Sequence, residues 1–215
     1  GLRYMISKRR LLRGWRLYVI LDRSLAPDRR LIAILRKALD GGADVIQLRD
    51  KRSSLDNFIE FAAGVRTICA KRRVPLIVND RIEAALAIDA DGLHLGKGDL
   101  DMGIARSLLG RNRLLGVSAH SYGDALKAKR EGADYVGVGP VFRTPLKPRT
   151  KTMDKRELAR TRKLRIPLVA IGGIRPDNIA AVTAMGITTV AVIRAVSLSE
   201  SPLSAAKRLK EAMCS

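Results

Sequence analysis

The chain alternates, eight times over, a short apolar run with a longer amphipathic segment. The apolar runs cover residues 17–21, 45–48, 75–78, 92–95, 114–117, 135–138, 167–171 and 189–193. Apolar residues at three- and four-residue steps predict helices over 29–39, 54–72, 81–88, 102–109, 122–131, 154–163, 176–184 and 202–213. Runs that are apolar on both faces are typical of parallel strands covered by helices. Eight such units in 215 residues predict an α/β fold, a single (β/α)8 TIM barrel, with a doubly wound open sheet as the alternative.

The basic stretch at residues 1–16 lies outside this pattern and is predicted to form an extra N-terminal helix that caps the bottom of the barrel. We expect a barrel domain over 17–215, because no linker or shift in composition interrupts it. The apolar stretches are too short to span a membrane, and the basic start lacks the apolar segment of a signal peptide. Two cysteines cannot make the disulfide scaffold of a small secreted protein. These three features together lead us to expect a cytoplasmic protein without membrane contact.

The net charge of the chain indicates which kinds of binding partner to expect. Lys and Arg number 41 against 21 Asp and Glu, a formal net charge of +20. Such a surplus suits a nucleic-acid binder, and it equally suits an enzyme that acts on phosphorylated substrates. Aromatic residues make up only 4%, so platforms for base stacking would be scarce. We therefore expect no specific nucleic-acid partner; the sequence predicts no oligomeric state.

Polar residues and glycines follow nearly every apolar run, where the active site of such a barrel lies. They are Asp22, Gln47 to Lys51, Asn79 and Asp80, His94 and Asp99, Ser118 and His120, Gly139 and Pro140, Gly172 and Gly173, and Arg194. One such residue alone, Asp22 or Ser118, could simply cap a helix. The convergence of the whole set on one mouth favours a ligand site.

The residue types at this mouth point to anions and a metal. Arg49, Lys51 and Lys147 are cations suited to a phosphate group, and strand alternation places Gln47, Arg49 and Lys51 on one side. Asp80 and Asp99 could share a Mg²⁺ ion; alternatively, one caps a helix and the other pairs with an Arg. The glycine turn after the seventh run and the segment after the eighth lie where barrels bind phosphate. Together these features predict two phosphorylated ligands in one pocket.

The stretches QLRDK, VND, DGLHLG, GVSAH, GADYVGVGPVF and VAIGGI, in this order and spacing, resemble the thiamine phosphate synthase family over almost the whole chain. The resemblance implies a TIM-barrel transferase of thiamine biosynthesis with Mg²⁺ as cofactor. Such an enzyme joins the pyrimidinylmethyl group of 4-amino-2-methyl-5-(diphosphooxymethyl)pyrimidine to the nitrogen of a thiazole phosphate or its carboxylate. It releases pyrophosphate through a dissociative step with a cation-like pyrimidine.

The resemblance also implies roles for individual residues. The pyrimidine diphosphate would contact Gln47, Leu48, Arg49, Asp50, Lys51, Asn79, Ser118 and Lys147. Among these, Arg49, Lys51, Ser118 and Lys147 would be catalytic, and Asp80 and Asp99 would hold the metal. The thiazole phosphate would contact Thr144, Pro145, Leu146, Gly173, Ile193 and Arg194.

The sequence departs from the family pattern at Lys97 and Gly98, at Leu146 and at Arg194. Lys97 would add positive charge beside the metal pair, and Leu146 would remove a hydroxyl. A thiazole tautomerase, built on a similar barrel with His120 as its acid–base group, is the alternative within this fold. A non-catalytic nucleic-acid-binding barrel is the alternative of another class. His94 is expected to be satisfied by hydrogen bonds inside the barrel.

Overall fold

The computed structural model describes residues 8–144 and 150–214. Its strands are β1 (Leu17–Asp22), β2 (Val45–Arg49), β3 (Leu76–Asn79), β4 (Gly92–Leu95), β5 (Leu114–Ala119), β6 (Tyr135–Val138), β7 (Leu168–Ile171) and β8 (Val190–Val192). Its helices are α1 (Lys8–Arg13), α2 (Asp28–Asp40), α3 (Leu55–Lys71), α4 (Ile82–Ala87), α5 (Met102–Leu109), α6 (Tyr122–Arg130), α7 (Lys155–Arg162), α8 (Ile179–Ala184), α9 (Arg194–Ser197) and α10 (Pro202–Cys214).

The eight strands pair in chain order to form a closed barrel, and every pairing is parallel. The register matches Tyr18 with Val45 and Leu17 with Val190, which closes β1 against both β2 and β8. The predicted (β/α)8 TIM barrel is confirmed. Side-chain caps begin several helices, since Ser54, Asp101, Ser121 and Asp154 each accept a backbone N–H of the following turn.

Two apolar clusters follow from strand alternation. One side of each strand packs against the surrounding helices, as Leu17, Val19 and Leu21 do on β1. The other side points into the barrel, where Tyr18, Ile20, Val45, Ile77, Leu114, Tyr135, Val169 and Ala191 form a second cluster. This inner cluster fills the barrel, so ligands can enter only at its ends.

The N-terminal segment closes the bottom of the barrel. Leu12 of α1 and Trp15, which follows α1, are buried in the inner cluster. The Trp15 ring meets the Tyr18 and Tyr135 rings edge-on, with centroids 5.7 and 5.5 Å apart. The extra N-terminal helix is thus present; the division into domains at residue 17 stays a prediction. Among the described residues, no helix combines the length and apolar character needed to cross a membrane.

Candidate active site

Arg49 is held at the mouth of the barrel by a carboxylate from the neighbouring strand. Its guanidinium is bonded to Asp22 Oδ2, and Asp22 at the end of β1 is almost fully buried. The backbone N–H and hydroxyl of Ser24 donate to the other Asp22 oxygen, at 2.9 and 2.7 Å. A guanidinium fixed on one edge by a buried anion keeps its remaining donors for a ligand.

Asp50 shapes the loop that follows β2. It accepts hydrogen bonds from the backbone N–H groups of Arg52 and Ser53, from the Ser53 hydroxyl at 2.5 Å, and from Arg23 at 2.9 Å. Burial acts to raise the pKa of Asp50, but these donors and the Arg23 charge outweigh it and lower the pKa to about 2. Asp50 therefore orders the loop that carries Lys51.

Asp80 and Asp99 form a carboxylate pair beyond β3 and β4. The backbone N–H of Gly96 donates to Asp99 Oδ2 at 2.6 Å and lies 3.4 Å from Asp80 Oδ1, while Lys51 Nζ lies 3.0 Å from Asp80 Oδ2. Burial acts to raise the pKa of Asp80, but hydrogen bonds from Asp99 and Lys51 outweigh it and lower that pKa. Burial and the adjacent Asp80 carboxylate raise the pKa of Asp99. The two carboxylates thus shift in opposite directions, because each charge disfavours ionisation of the other.

The backbone at Asp80 is unusual for a non-glycine residue. Its φ is +61°, and the backbone N–H of Arg81 reaches back to the Asn79 carbonyl at 2.7 Å, which makes a tight three-residue turn. The Asp80 N–H donates to the His94 carbonyl at 2.9 Å and holds the turn against β4. Such conformations are costly and persist where the surroundings enforce them, often at functional sites.

The residues present fit a magnesium ion. Within the described part of the chain, no three His, Cys, Asp or Glu side chains cluster as a complete protein cage would require. Mg²⁺ does not need such a cage, because it commonly binds one or two carboxylates and takes its other ligands from water and substrate phosphates. A pair of close carboxylates, both turned toward the Gly96 N–H, is the donor set such an ion would use.

Ser118 lies near the end of β5, beside this pair. Its Oγ is 3.0 Å from His94 Nε2, and it lines a cavity of about 350 Å³ together with Asp99 and Gly96. Lys97 lines the same cavity, but its ammonium lies 3.9 Å from Asp124 and its side chain is largely exposed. The extra charge at this departure from the family pattern is therefore partly offset by Asp124.

A second cavity of about 360 Å³ opens where β6, β7 and β8 end. It is lined by the predicted residues Thr144, Gly173, Ile193 and Arg194, together with Arg143 and Arg175, which the sequence did not indicate. Gly173 has a φ of +63°, and a Cβ there would lie 2.4 Å from the Arg143 carbonyl, so the β6 and β7 loops can approach this closely only with glycine. The short helix α9 begins at Arg194, where many barrels bind phosphate.

A family model described as thiamine monophosphate synthase matches residues 17–196. The chain belongs to this family. A thiamine-phosphate synthase of Chloroflexus aurantiacus is 45% identical over 199 residues, which cover 91% of this chain and 91% of the relative. One from Halalkalibacterium halodurans is 41% identical over 186 residues, 85% of this chain and 87% of the relative. A solved thiamine phosphate pyrophosphorylase from Pyrococcus furiosus has a TM-score of 0.86 at 35% identity, covering 94% of this chain and 97% of that one.

Family membership is thus established, while the roles of individual residues stay predictions. Pro145, Leu146 and Lys147 lie outside the described residues. Leu48 is fully buried in the cluster between the strands and the surrounding helices. The backbone carbonyl of Asn79 accepts the Arg81 N–H and so holds the turn at Asp80. Sequence reasoning missed Tyr18 and Tyr135, whose hydroxyl groups lie inside the barrel. Strand alternation carries the signal that could have found them, because it turns both residues inward.

Proposed function

We propose that this protein is a thiamine phosphate synthase. It would join the pyrimidine diphosphate to the thiazole phosphate and release pyrophosphate. One observation carries the proposal: a cation-and-carboxylate site at the ends of β2 to β4 and a separate cavity at the ends of β6 to β8 open at the same end of the barrel. The names of the relatives and the family match support this activity.

The diphosphate would bind at Arg49 and Lys51, with Ser118 and Lys147 completing its site. Arg49, restrained by Asp22, offers donors in a fixed fork, and Lys51 lies on the loop ordered by Asp50. Mg²⁺, held by Asp80 and Asp99 when bound, would supply positive charge that neutralises the leaving diphosphate. The thiazole phosphate would lie in the cavity lined by Thr144 and Gly173 and by the backbone of Ile193 and Arg194.

The reaction requires the chain to bind both substrates, to orient them and to stabilise the charge that develops on the diphosphate. The methylene–oxygen bond breaks and its electron pair leaves with the diphosphate, whose developing charge Arg49 and Lys51 stabilise. The lone pair of the thiazole nitrogen then forms the carbon–nitrogen bond, so no general base is required. The two sites hold both substrates at one mouth, which makes the step effectively unimolecular.

One contact favours the tautomerase as a second candidate. His120 Nδ1 lies 2.5 Å from the Gly139 carbonyl, which can only accept, so Nδ1 carries a hydrogen and Nε2 is the nitrogen that could exchange a proton with a ligand. That reaction gives no role to the Asp80 and Asp99 pair or to Lys51, so we rank it below the synthase.

The deciding experiment is a coupling assay. Purified protein receives both phosphorylated half-molecules with and without Mg²⁺, and thiamine phosphate is detected as its fluorescent thiochrome derivative. We expect product only with the metal. Asp80→Asn should lower kcat/KM by about a hundredfold or more, because a metal ion contributes several kcal/mol of charge stabilisation. Lys147→Ala should abolish synthesis while cooperative melting persists.

Asp101→Asn is the matched control, since Asp101 follows Asp99 by two residues and accepts from the backbone N–H groups of Gly103 and Ile104. Asn is an equally good helix cap, so this variant should keep its activity. Product formed without metal, or full turnover by Asp80→Asn, would refute the metal assignment. The tautomerase would be favoured if folded protein forms no product but isomerises the thiazole carboxylate phosphate. His120→Asn should then lose that isomerisation. The cytoplasmic location stays a prediction.

A further inference from the structure

A chain of hydrogen bonds crosses the inside of the barrel and joins two of the predicted substrate-binding residues. Gln47 Nε2 donates to the Tyr18 hydroxyl at 2.7 Å, and the Tyr18 and Tyr135 hydroxyl oxygens are 2.9 Å apart. The Tyr135 hydroxyl lies 3.1 Å from His94 Nδ1, and His94 Nε2 lies 3.0 Å from Ser118 Oγ. Five side chains from β2, β1, β6, β4 and β5 thus form one connected path.

With the Gln47 amide nitrogen facing Tyr18, counting hydrogens gives this path one direction in which every group is satisfied. Tyr18 accepts from Gln47, so its single hydroxyl hydrogen is donated to Tyr135. Tyr135 in turn donates its hydrogen to His94 Nδ1. A neutral His94 that accepts at Nδ1 carries its hydrogen on Nε2, and this hydrogen goes to Ser118 Oγ. Ser118 is then an acceptor toward His94, and its own hydrogen is left to be donated elsewhere.

The surrounding packing is shaped to hold the aromatic rings of this path. A Cβ at Gly116 would lie 2.1 Å from the Tyr135 ring, and one at Gly137 would lie 3.2 Å from the His94 ring. Trp15 packs edge-on against both tyrosine rings from below. Burial raises the pKa of both tyrosines above the ordinary value of 10.0, so each keeps the hydrogen that the path requires.

We propose that Tyr135 and His94 are positioning residues that hold Ser118 as a hydrogen-bond donor toward the ligand. The proposal rests on the proposed function only in placing Ser118 at the diphosphate site. Its consequence is a preference: the Ser118 hydrogen is directed to an acceptor atom of the ligand, such as a diphosphate oxygen. Tyr135 is fully buried inside the barrel and acts through His94 and Ser118.

The direction of the path can be measured without any turnover. The chain has only two histidines, so ¹⁵N-histidine labelling gives two sets of ring signals, and His120→Asn assigns them by removal. The spectra are recorded at about pH 8, above the ordinary histidine pKa of about 6.5, to observe the neutral form of the His94 ring. We expect its Nε2 to carry the hydrogen and its Nδ1 to show the shift of an unprotonated nitrogen that accepts a hydrogen bond.

Tyr135→Phe and Tyr18→Phe are a matched pair, because each removes one hydroxyl oxygen from the same buried cluster. Tyr135→Phe removes the donor to Nδ1, so the Nδ1 resonance should move downfield. Tyr18→Phe leaves that donor in place, so the resonance should stay near its wild-type position. A wild-type His94 with its hydrogen on Nδ1, or an Nδ1 resonance unmoved in Tyr135→Phe, would overturn the proposal.

Kinetics separate positioning from a general loss of structure. Tyr135→Phe should lower kcat about tenfold, the effect of losing one oriented hydrogen bond. In a Ser118→Ala background the same change should have almost no further effect, because the residue through which Tyr135 acts is gone. Equal losses in both backgrounds would show a merely structural role. If the wild type makes no thiamine phosphate, the proposed function fails while the histidine signals still decide the direction of the path.

Discussion

At the scale of single residues, similar aspartates near the mouth have different roles because their partners differ. Asp80 shares its surroundings with a second carboxylate, whereas Asp50 is surrounded by donors. The pKa of Asp50 is about 2 in the folded chain against an ordinary value of 3.8. A carboxylate with a depressed folded pKa stabilises the fold above its ordinary pKa, and this contribution is lost as the pH falls through 3.8 toward 2.

Asp50→Asn should therefore destabilise the protein by about 1–2 kcal/mol at neutral pH, after allowance for solvent screening. The difference from wild type should shrink as the pH falls below about 4, where the unfolded state begins to bind the proton. Urea unfolding of both proteins at several pH values measures this. A difference that is the same at pH 7 and pH 3 would mean that the Asp50 charge contributes nothing.

Residue type and position were enough to predict that side chains such as Lys51 and Asp80 lie together at the mouth. Charged residues directly after an apolar run, such as Arg49 and Asp80, lie at the carboxyl end of the barrel once the strands are parallel. The residues that orient them are harder to find. Tyr18 and Tyr135 lie 117 positions apart, and each belongs to an apolar run, so only the closed barrel shows that their hydroxyl groups meet.

At the scale of elements, three aspartates join neighbouring strands by hydrogen bonds at the bottom of the barrel. Asp44, Asp91 and Asp134 lie just before β2, β4 and β6, and each accepts a backbone N–H near the start of the preceding strand at 2.8–2.9 Å. The backbone N–H of each donates back to that strand, also at 2.8–2.9 Å. Asp134 has two further partners, Lys8 Nζ at 3.0 Å and Arg106 at 2.6 Å.

Asp134→Ala should lower the free energy of unfolding by about 3 kcal/mol, because it leaves the Leu115 N–H unsatisfied and two partly buried cations unpaired. In a chain of this length that corresponds to a drop in Tm of about 6–12 °C. Asp40→Ala is the control, since Asp40 pairs with Arg72 where both side chains are about half exposed. It should cost no more than about 0.5 kcal/mol. Equal losses in the two variants would contradict this role for Asp134.

Hydropathy patterning placed the strands to within about two residues, because an apolar run and its flanking turn mark both ends of a buried strand. It failed where local hydrogen bonds decide. The helix predicted from Pro176 begins at Ile179, because the Asn178 side chain accepts the Arg175 N–H and ends a preceding turn. The four-residue helix α9 was missed, since a single turn shows no periodicity.

At the scale of the whole molecule, the net charge of +20 exceeds what the two anion sites need. Several described cations are used within the fold, as Arg23 is on Asp28 and Asp50, or Arg106 on Asp134. Others lie on exposed helix faces, as Arg156 does on α7. The fold tolerates such residues, because a solvent-exposed helix face restricts neither the sign nor the number of its charged side chains.

The excess charge does predict how the protein should behave toward nucleic acid. Binding driven by charge alone releases counterions, so a contact with about six phosphates should weaken by about 10³-fold between 50 and 200 mM salt. We expect fluorescence anisotropy with labelled single-stranded RNAs of different sequences to show weak binding at low salt, equal for all sequences and nearly gone at 200 mM. A DNA duplex should behave in the same way, because phosphate contacts carry no sequence information. Tight binding that survives 200 mM salt and prefers one sequence would instead support the nucleic-acid-binding alternative. Competition by the pyrimidine diphosphate would then show whether RNA uses the barrel mouth or the exposed helix faces.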